Sequence, residues 1–102
     1  MEDRGYGAIA VALDGHVATI TLNNPDRKNA LSPRMVNELL YALDDARDNP
    51  EVRVVVLTGA GESFCAGGDL KQMAGDGPEL ERRGDFDDLL LRFTGLNKPV
   101  VA

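Results

Sequence analysis

The segment that most constrains the fold joins an apolar run to a cluster of glycines. Residues 52–59 read VRVVVLTG, and apolar residues at consecutive positions are typical of a strand covered on both faces, so we predict a buried strand over 53–58. Four glycines then fall within twelve residues, GAGESFCAGGDL, from Gly59 to Leu70. Glycine has no Cβ, so such a cluster indicates backbone that turns sharply or approaches another group closely.

The segment before this strand predicts a hairpin and a helix. Residues 8–22 alternate apolar and polar on either side of Asp14-Gly15, which predicts a β-hairpin with that dipeptide as its two-residue turn. Ser32-Pro33 predicts a helix start, because a hydroxyl can cap the helix and proline suits its first position. The helix ends at Asn49-Pro50. Its apolar face consists of Val36, Leu39, Leu40, Leu43 and Ala46.

After the glycines, the sequence predicts two more helices and a strand. Asp69 and Gln72 have the spacing of a capping box, so a short helix should begin at Asp69. A second, amphipathic helix should end near Gly95, with an apolar face of Phe86, Leu89, Leu90 and Phe93. The last residues, KPVVA, begin a strand. This alternation indicates an α/β fold, and residues 1–102 are interpreted as the incomplete N-terminal part of one domain.

Three interpretations of the glycine cluster follow from its residues. A dinucleotide fingerprint fits Gly59-Ala60-Gly61 but places Phe64 where its third glycine belongs, and no P-loop motif occurs. The cluster can also be a plain connecting loop in which Asp69 only caps a helix. In the third interpretation, the amides from Ala66 to Gly68 form an anion site or oxyanion site, since unpaired N–H groups at a helix start favour negative charge.

Charge and composition exclude several classes of partner. The chain has 17 acidic and 11 basic residues, for a net charge of -6, which argues against a nucleic-acid or anionic-membrane surface. An anionic ligand therefore requires a local basic cluster. No apolar run approaches the roughly 18 residues of a membrane span. A single cysteine permits no internal disulfide, which fits the cytoplasm.

The other chemically reactive side chains have structural explanations. His16, the only histidine, is expected to face solvent beside the hairpin turn. Cys65 has no histidine placed to activate it and is expected to be a small buried apolar residue. The acidic cluster of Asp85, Asp87 and Asp88 lacks the spacing of a metal-binding loop, so we expect a solvated face and no metal site.

Four segments together resemble a known family. Residues 61–73, GESFCAGGDLKQM, are similar to the first signature of the enoyl-CoA hydratase/isomerase (crotonase) superfamily. Residues 16–32, HVATITLNNPDRKNALS, resemble its first strands and coenzyme A loop. Residues 48–61, DNPEVRVVVLTGAG, resemble the strand before that signature, and residues 97–102, NKPVVA, the strand before the second signature. The resemblance spans nearly the whole chain and favours the third interpretation of the glycines.

The resemblance implies a fold, a substrate and a set of site residues. The fold would be the N-terminal part of the crotonase-like spiral of ββα units, and the substrate an acyl-CoA thioester. The backbone N–H of Ala66, with Gly67 beside it, would stabilise the thioester enolate, and Arg27 and Lys28 would lie near the phosphates of coenzyme A. The adenine and pantetheine path would be lined by Ala30, Ser63, Ala66, Gly67, Gly68, Asp69 and Leu70. Coenzyme A would be part of the substrate, with no separate cofactor.

In this family, the second oxyanion glycine, the acid and base carboxylates and the trimer-forming elements follow the segment that resembles KPVVA. We therefore expect residues 1–102 to carry the first half of a hydratase or isomerase site and to be inactive alone. The complete enzyme would be a cytoplasmic homo-oligomer, a trimer or hexamer, of fatty-acid metabolism. The alternative is a non-catalytic fragment that binds coenzyme A or assembles with a longer homologue.

Overall fold

The computed structural model describes residues 4–25, 29, 31–61 and 86–101. Their secondary structure runs β1 (Ile9–Asp14), β2 (Val17–Leu22), α1 (Pro33–Asp48), β3 (Val54–Gly59), α2 (Phe86–Gly95) and β4 (Val100–Val101). The four strands form one sheet in the order β1-β2-β3-β4. The predicted α/β fold is confirmed. The short helix predicted from Asp69 lies outside the described residues.

The sheet combines one hairpin with two parallel crossovers. Strands β1 and β2 pair antiparallel, whereas β2 pairs parallel with β3, and β3 with β4. Helix α1 lies in the connection from β2 to β3, and α2 in the connection from β3 to β4, as parallel strands require. The carboxyl ends of β2, β3 and β4 consequently share one edge of the sheet, which we call the carboxyl edge.

The hairpin forms as predicted, but its turn is shifted by one residue. Asp14 pairs with Val17, so Gly15 and His16 make the turn and Asp14 ends β1. Gly15 has φ +60, and a glycine at the first turn position is the requirement of a type II′ turn. The Asp-Gly pattern therefore locates the turn correctly and assigns the wrong pair of residues to it.

Helix α1 starts and ends where the sequence predicts. The side-chain oxygen of Ser32 accepts a hydrogen bond from the Met35 N–H at 3.1 Å, and Pro33 occupies the first turn. At the other end, Asn49 caps the helix. All five residues of the predicted apolar face are buried. They pack against one face of the sheet, on which Ile9, Ala18, Ile20, Leu22 and Val55 are also buried.

Helix α1 also buries polar side chains outside its apolar face, which the periodicity does not predict. Asn37, Glu38 and Asp44 are buried although they are polar. The segment before β1 lies against this helix, and its Arg4 makes a bidentate ion pair with Asp45 at 2.9 and 3.0 Å. Helix α2 packs beside α1 as well, and Arg92 Nε donates to the Asp44 carboxylate at 2.8 Å. These polar contacts are tertiary, so helical periodicity could not reveal them.

Two predictions about apolar exposure require correction. The periodicity places Leu90 on the buried face of α2, but this residue is 50% exposed, whereas Leu89 is buried and Phe93 partly so. The buried face of α2 is therefore narrower than the spacing of its apolar residues suggests. Strand β3, predicted over 53–58, spans 54–59, and only Val55 within it is fully buried. Among the described elements, α1 covers one face of the sheet only.

Candidate functional site

The candidate site lies at the carboxyl edge, where two connections leave adjacent strands. Leu22, the last residue of β2, pairs with Gly59, the last residue of β3, so the loops that follow start side by side. The Ala60 N–H extends the ladder by donating to the Leu22 carbonyl at 2.8 Å. Ligands of open parallel sheets bind at this edge, because the loops there are free to carry side chains and exposed amides.

The loop after β2 is closed by two asparagines. The Asn29 N–H donates to the Asn24 carbonyl at 2.8 Å, and the Asn24 N–H donates to the Asn29 side-chain oxygen at 2.8 Å. Asn29 has φ 57, a left-handed conformation that asparagine tolerates better than most residues. Its side chain is fully buried. These reciprocal bonds hold residues 24 and 29 together at the two ends of the loop.

The same asparagine also joins this loop to the glycine-rich loop after β3. Asn29 Nδ2 donates to the Ala60 carbonyl at 2.9 Å. Beside this bond, Gly61 adopts φ +79, and a Cβ built on it would lie 3.0 Å from the Pro25 Cβ. The two loops thus meet through one hydrogen bond and one tight contact. We refer to Asn24, Pro25, Asn29, Ala60 and Gly61 as the loop junction.

The sequence patterns do not single out the loop junction. Within NNPDRKNA, the family resemblance assigns a role in ligand binding only to Arg27, Lys28 and Ala30. A signal is present, because asparagines hydrogen-bond to nearby backbone and tolerate left-handed φ. However, the pattern does not disclose that Asn29 is buried against a carbonyl 31 residues further along the chain.

All the predicted site residues lie outside the described residues: Arg27, Lys28, Ala30, Ser63, Ala66, Gly67, Gly68, Asp69 and Leu70. The same holds for Cys65 and for Asp85 of the acidic cluster. Their assigned roles therefore stay predictions. What the structure describes is where their segments begin: Asn24–Pro25 and Asn29 flank the basic pair, and Ala60–Gly61 lead into the glycine cluster.

His16 lies at the opposite end of β2 from the loop junction. It occupies the hairpin turn, half exposed, and its Nδ1 lies 2.8 Å from the Glu51 carbonyl oxygen. A six-residue strand separates it from the carboxyl edge, a span of about 20 Å. The prediction that His16 faces solvent is confirmed. Within the described ranges, no three His, Cys, Asp or Glu side chains cluster as metal ligands would, and neither helix is long and apolar enough to cross a membrane.

Comparison with known proteins agrees with this architecture. The family model described as "Enoyl-CoA hydratase/isomerase" matches residues 13–102, which include both crossovers and the carboxyl edge. The chain belongs to the enoyl-CoA hydratase/isomerase family. The resemblance noted in the sequence is therefore confirmed, and with it the crotonase-like fold of the N-terminal part.

Individual members of the enoyl-CoA hydratase/isomerase family align along most of this chain. A protein of Mycobacterium tuberculosis strain H37Rv named "Probable enoyl-CoA hydratase EchA14" is 46% identical over 99 residues, which cover 95% of this chain and 39% of that protein. The crystal structure of enoyl-CoA hydratase EchA8_6 from Mycobacterium marinum superposes with a TM-score of 0.82 at 36% identity. That match covers 92% of this chain and 46% of the other. The chain spans about two fifths of the length of the curated relatives it matches.

Proposed function

We propose that this protein acts on acyl-CoA thioesters as an enoyl-CoA hydratase or isomerase. In this proposal, the described chain supplies the coenzyme-binding loops and the first donor to the thioester enolate. The observation that carries the proposal is the loop junction: Asn29 joins the loop that contains the basic pair to the loop that leads into the glycine cluster. Family membership supports the substrate class.

The charge distribution supports a coenzyme A site at this edge. Coenzyme A carries phosphates, whereas the chain as a whole is acidic with a net charge of -6. Local cations must therefore offset the general repulsion, and Arg27 and Lys28 are consecutive in the sequence between Asn24 and Asn29, which are hydrogen-bonded to each other. Guanidinium and ammonium groups both suit phosphate oxygens. We assign phosphate binding to this pair.

The glycine cluster supplies the chemistry of the reaction centre. When a thioester becomes an enolate, negative charge develops on the carbonyl oxygen, and a preorganised backbone N–H can lower the barrier by several kcal/mol, on the order of 3 per donor. We assign this role to the N–H of Ala66, with Gly67 and Gly68 leaving space for the substrate. The path to it would be lined by Ala30, Ser63, Asp69 and Leu70.

The proposal gives this chain one half of the site, without its acid and base. Near the carboxyl edge, the buried carboxylate of Glu38 accepts hydrogen bonds from Arg34 and from three backbone N–H groups. Those bonds give it a structural role. We further propose that the complete enzyme acts in cytoplasmic fatty-acid metabolism as a homo-oligomer, a trimer or hexamer. Native mass spectrometry tests the assembly directly.

The function is tested first by calorimetric titration with coenzyme A and with crotonyl-CoA. We expect both to bind, and the double variant Arg27→Ala/Lys28→Ala to weaken binding by about 10- to 100-fold, as expected for the loss of charge-assisted hydrogen bonds. The matched control is Arg53→Ala, which removes one exposed positive charge at the amino end of β3. Unchanged affinity in the loop variant would contradict the phosphate assignment.

The enolate donor is tested with a pair of substitutions at one position. Ala66→Pro deletes the N–H, whereas Ala66→Gly keeps it and serves as the control. With acetoacetyl-CoA, whose enolate absorbs in the near ultraviolet, we expect an enolate signal in the parent and in Ala66→Gly and its loss in Ala66→Pro. Coenzyme A binding without an enolate signal in any of the three would favour the non-catalytic alternative.

A further inference from the structure

Two asparagines in the described part of the chain adopt the left-handed conformation, but their surroundings differ. Asn29 has φ 57 and is fully buried, and Asn97 has φ 60 and is exposed between α2 and β4. A buried amide costs free energy unless its polar atoms are hydrogen-bonded. Asn29 meets that requirement with its N–H, its side-chain oxygen and its side-chain nitrogen.

These three bonds divide between two loops. The first two go to Asn24, within the loop after β2, and the third goes to Ala60, in the loop after β3. The bond to the side-chain oxygen therefore helps to fix the conformation of the first loop. The bond from the side-chain nitrogen holds the two loops at a fixed distance from each other. Because the amide is planar, rotating it to improve one bond would break the other.

We infer that Asn29 is a positioning residue that sets the separation between the coenzyme-phosphate loop and the enolate-stabilising loop. The inference rests on the proposed function. Lys28 directly precedes Asn29, and Ala60 lies six residues before Ala66. A ligand that reaches from the phosphates to the thioester must contact both loops, so the spacing that Asn29 holds determines whether it can do so at once.

This role differs from simple loop stabilisation in what it predicts for ligands of different length. Adenosine 3′,5′-bisphosphate carries phosphates of the coenzyme but neither pantetheine nor thioester, so it lacks the part of the ligand that would reach Ala66 in the second loop. Crotonyl-CoA engages both loops, and its second contact benefits from the effective concentration that a fixed geometry provides. Loss of the inter-loop bond should therefore weaken the long ligand much more than the short one.

The variants can separate the side chain of Asn29 from its backbone conformation. Asn29→Gly retains access to left-handed φ and removes the side-chain bonds. Asn29→Asp retains an oxygen acceptor for the Asn24 N–H but places a carboxylate oxygen where Nδ2 donated to the Ala60 carbonyl. Asn97→Gly is the matched control, because it makes the same substitution at a similar φ away from the loop junction.

The experiment measures the affinity of each variant for crotonyl-CoA and for adenosine 3′,5′-bisphosphate by calorimetry, after circular dichroism has confirmed folding. We expect Asn29→Gly and Asn29→Asp to lose about tenfold in crotonyl-CoA affinity. The affinity of Asn29→Gly for the bisphosphate should stay within about threefold of the parent. Asn29→Asp adds a negative charge that repels both ligands, so it should weaken the bisphosphate as well, but less than crotonyl-CoA. Asn97→Gly should change neither affinity.

The other outcomes are distinguishable. Equal losses for both ligands, or no loss for either, would overturn the positioning role while leaving the proposed function standing. A parent protein that binds neither ligand would overturn the proposed function and this inference together. Backbone NMR provides a ligand-free check: Asn29→Asp should shift the Gly61 amide resonance and Asn97→Gly should not, and an unmoved Gly61 resonance in Asn29→Asp would contradict the inter-loop bond.

Discussion

The Glu38 carboxylate, in the middle of α1, accepts a hydrogen bond from the backbone N–H of Ala8 at 2.8 Å. It also accepts from the N–H groups of Gly7 and Ile9 and from Arg34 Nε at 2.9 Å. A side chain of α1 thereby supplies the hydrogen-bond acceptor for the backbone N–H groups of residues 7–9, which lead into β1. These bonds hold residues 7–9 against α1 at the start of β1.

Replacing Glu38 should destabilise the protein markedly. Glu38→Ala leaves buried N–H donors and Arg34 without their acceptor, so we expect the free energy of unfolding to fall by about 2–4 kcal/mol. Glu38→Gln keeps one acceptor oxygen and should cost less. Urea denaturation measures both variants. The control is Glu51→Gln, at a side chain 68% exposed, for which we expect a change within about 0.5 kcal/mol. Similar losses at both positions would contradict the role of Glu38.

Gly61 should not tolerate a side chain. Its φ of +79 is strained for any L-residue, and an added Cβ would lie 3.0 Å from the Pro25 Cβ. We expect Gly61→Ala to lower the free energy of unfolding by about 1–2 kcal/mol. Gly95→Ala is the matched control, since Gly95 ends α2 and its added Cβ meets nothing within 4 Å. A loss at Gly95 as large as that at Gly61 would show that the loop junction is not the cause.

The steric and conformational parts of the Gly61 effect can be separated. Pro25→Gly removes the facing Cβ, so it should recover part of the loss in the double variant with Gly61→Ala, while the cost of positive φ persists. A double-mutant cycle in urea measures this coupling. If the effects of the two substitutions on the free energy of unfolding were strictly additive, residues 25 and 61 would not be in energetically significant steric contact.

Local sequence patterns are sufficient to predict the helices and strands, because the interactions that decide them join residues that are close in the sequence. Ser32 caps a helix three residues away, and Gly15 supplies a turn within its own hairpin. The error at Asp14 arises because the dipeptide pattern specifies a tight turn without specifying its register, which strand pairing decides. The error at Leu90 has a similar origin, since the width of a buried helix face depends on its neighbour.

The candidate site is less predictable because its links cross long stretches of chain. Asn29 and Ala60 are 31 residues apart, and Glu38 reaches back 30 residues to Ala8. The spacing of apolar residues reflects local structure and carries no information about such a contact. A polar residue such as Asn29 is ordinary in a polar loop, so the local sequence does not mark it as functionally important. The roles of Arg27, Lys28 and Ala66 come from family resemblance, and they stay predictions.

Lys98 should stabilise the carboxyl end of α1. Its Nζ donates to the carbonyls of Ala46 and Asn49, the latter at 2.9 Å, and a cation there also complements the helix dipole. We expect Lys98→Met, which keeps most of the apolar stem, to lower the free energy of unfolding by about 1–2 kcal/mol. Lys98→Arg should restore part of the loss. A Lys98→Met variant as stable as the parent in urea would show that solvent replaces these bonds.

Asp48 should make a small, pH-dependent contribution to stability. A hydrogen bond from Arg47 holds the pKa of the Asp48 carboxyl below its usual value of 3.8. A carboxyl whose pKa is lower in the folded state binds its proton more tightly when unfolded, so its contribution is present above about pH 4 and disappears as the pH falls through the folded pKa.

We therefore expect Asp48→Asn to be less stable than the parent at neutral pH, and the difference to shrink as the pH falls below about 4 and the Asp48 carboxyl becomes protonated, by urea denaturation across that range. Because the pair is exposed, added salt should shrink the neutral-pH difference. Asp14→Asn, at the exposed end of β1, is the matched control. A stability difference that grew as the pH fell would have the opposite pH dependence to the one expected. It would contradict the Arg47–Asp48 bond as the source of the difference.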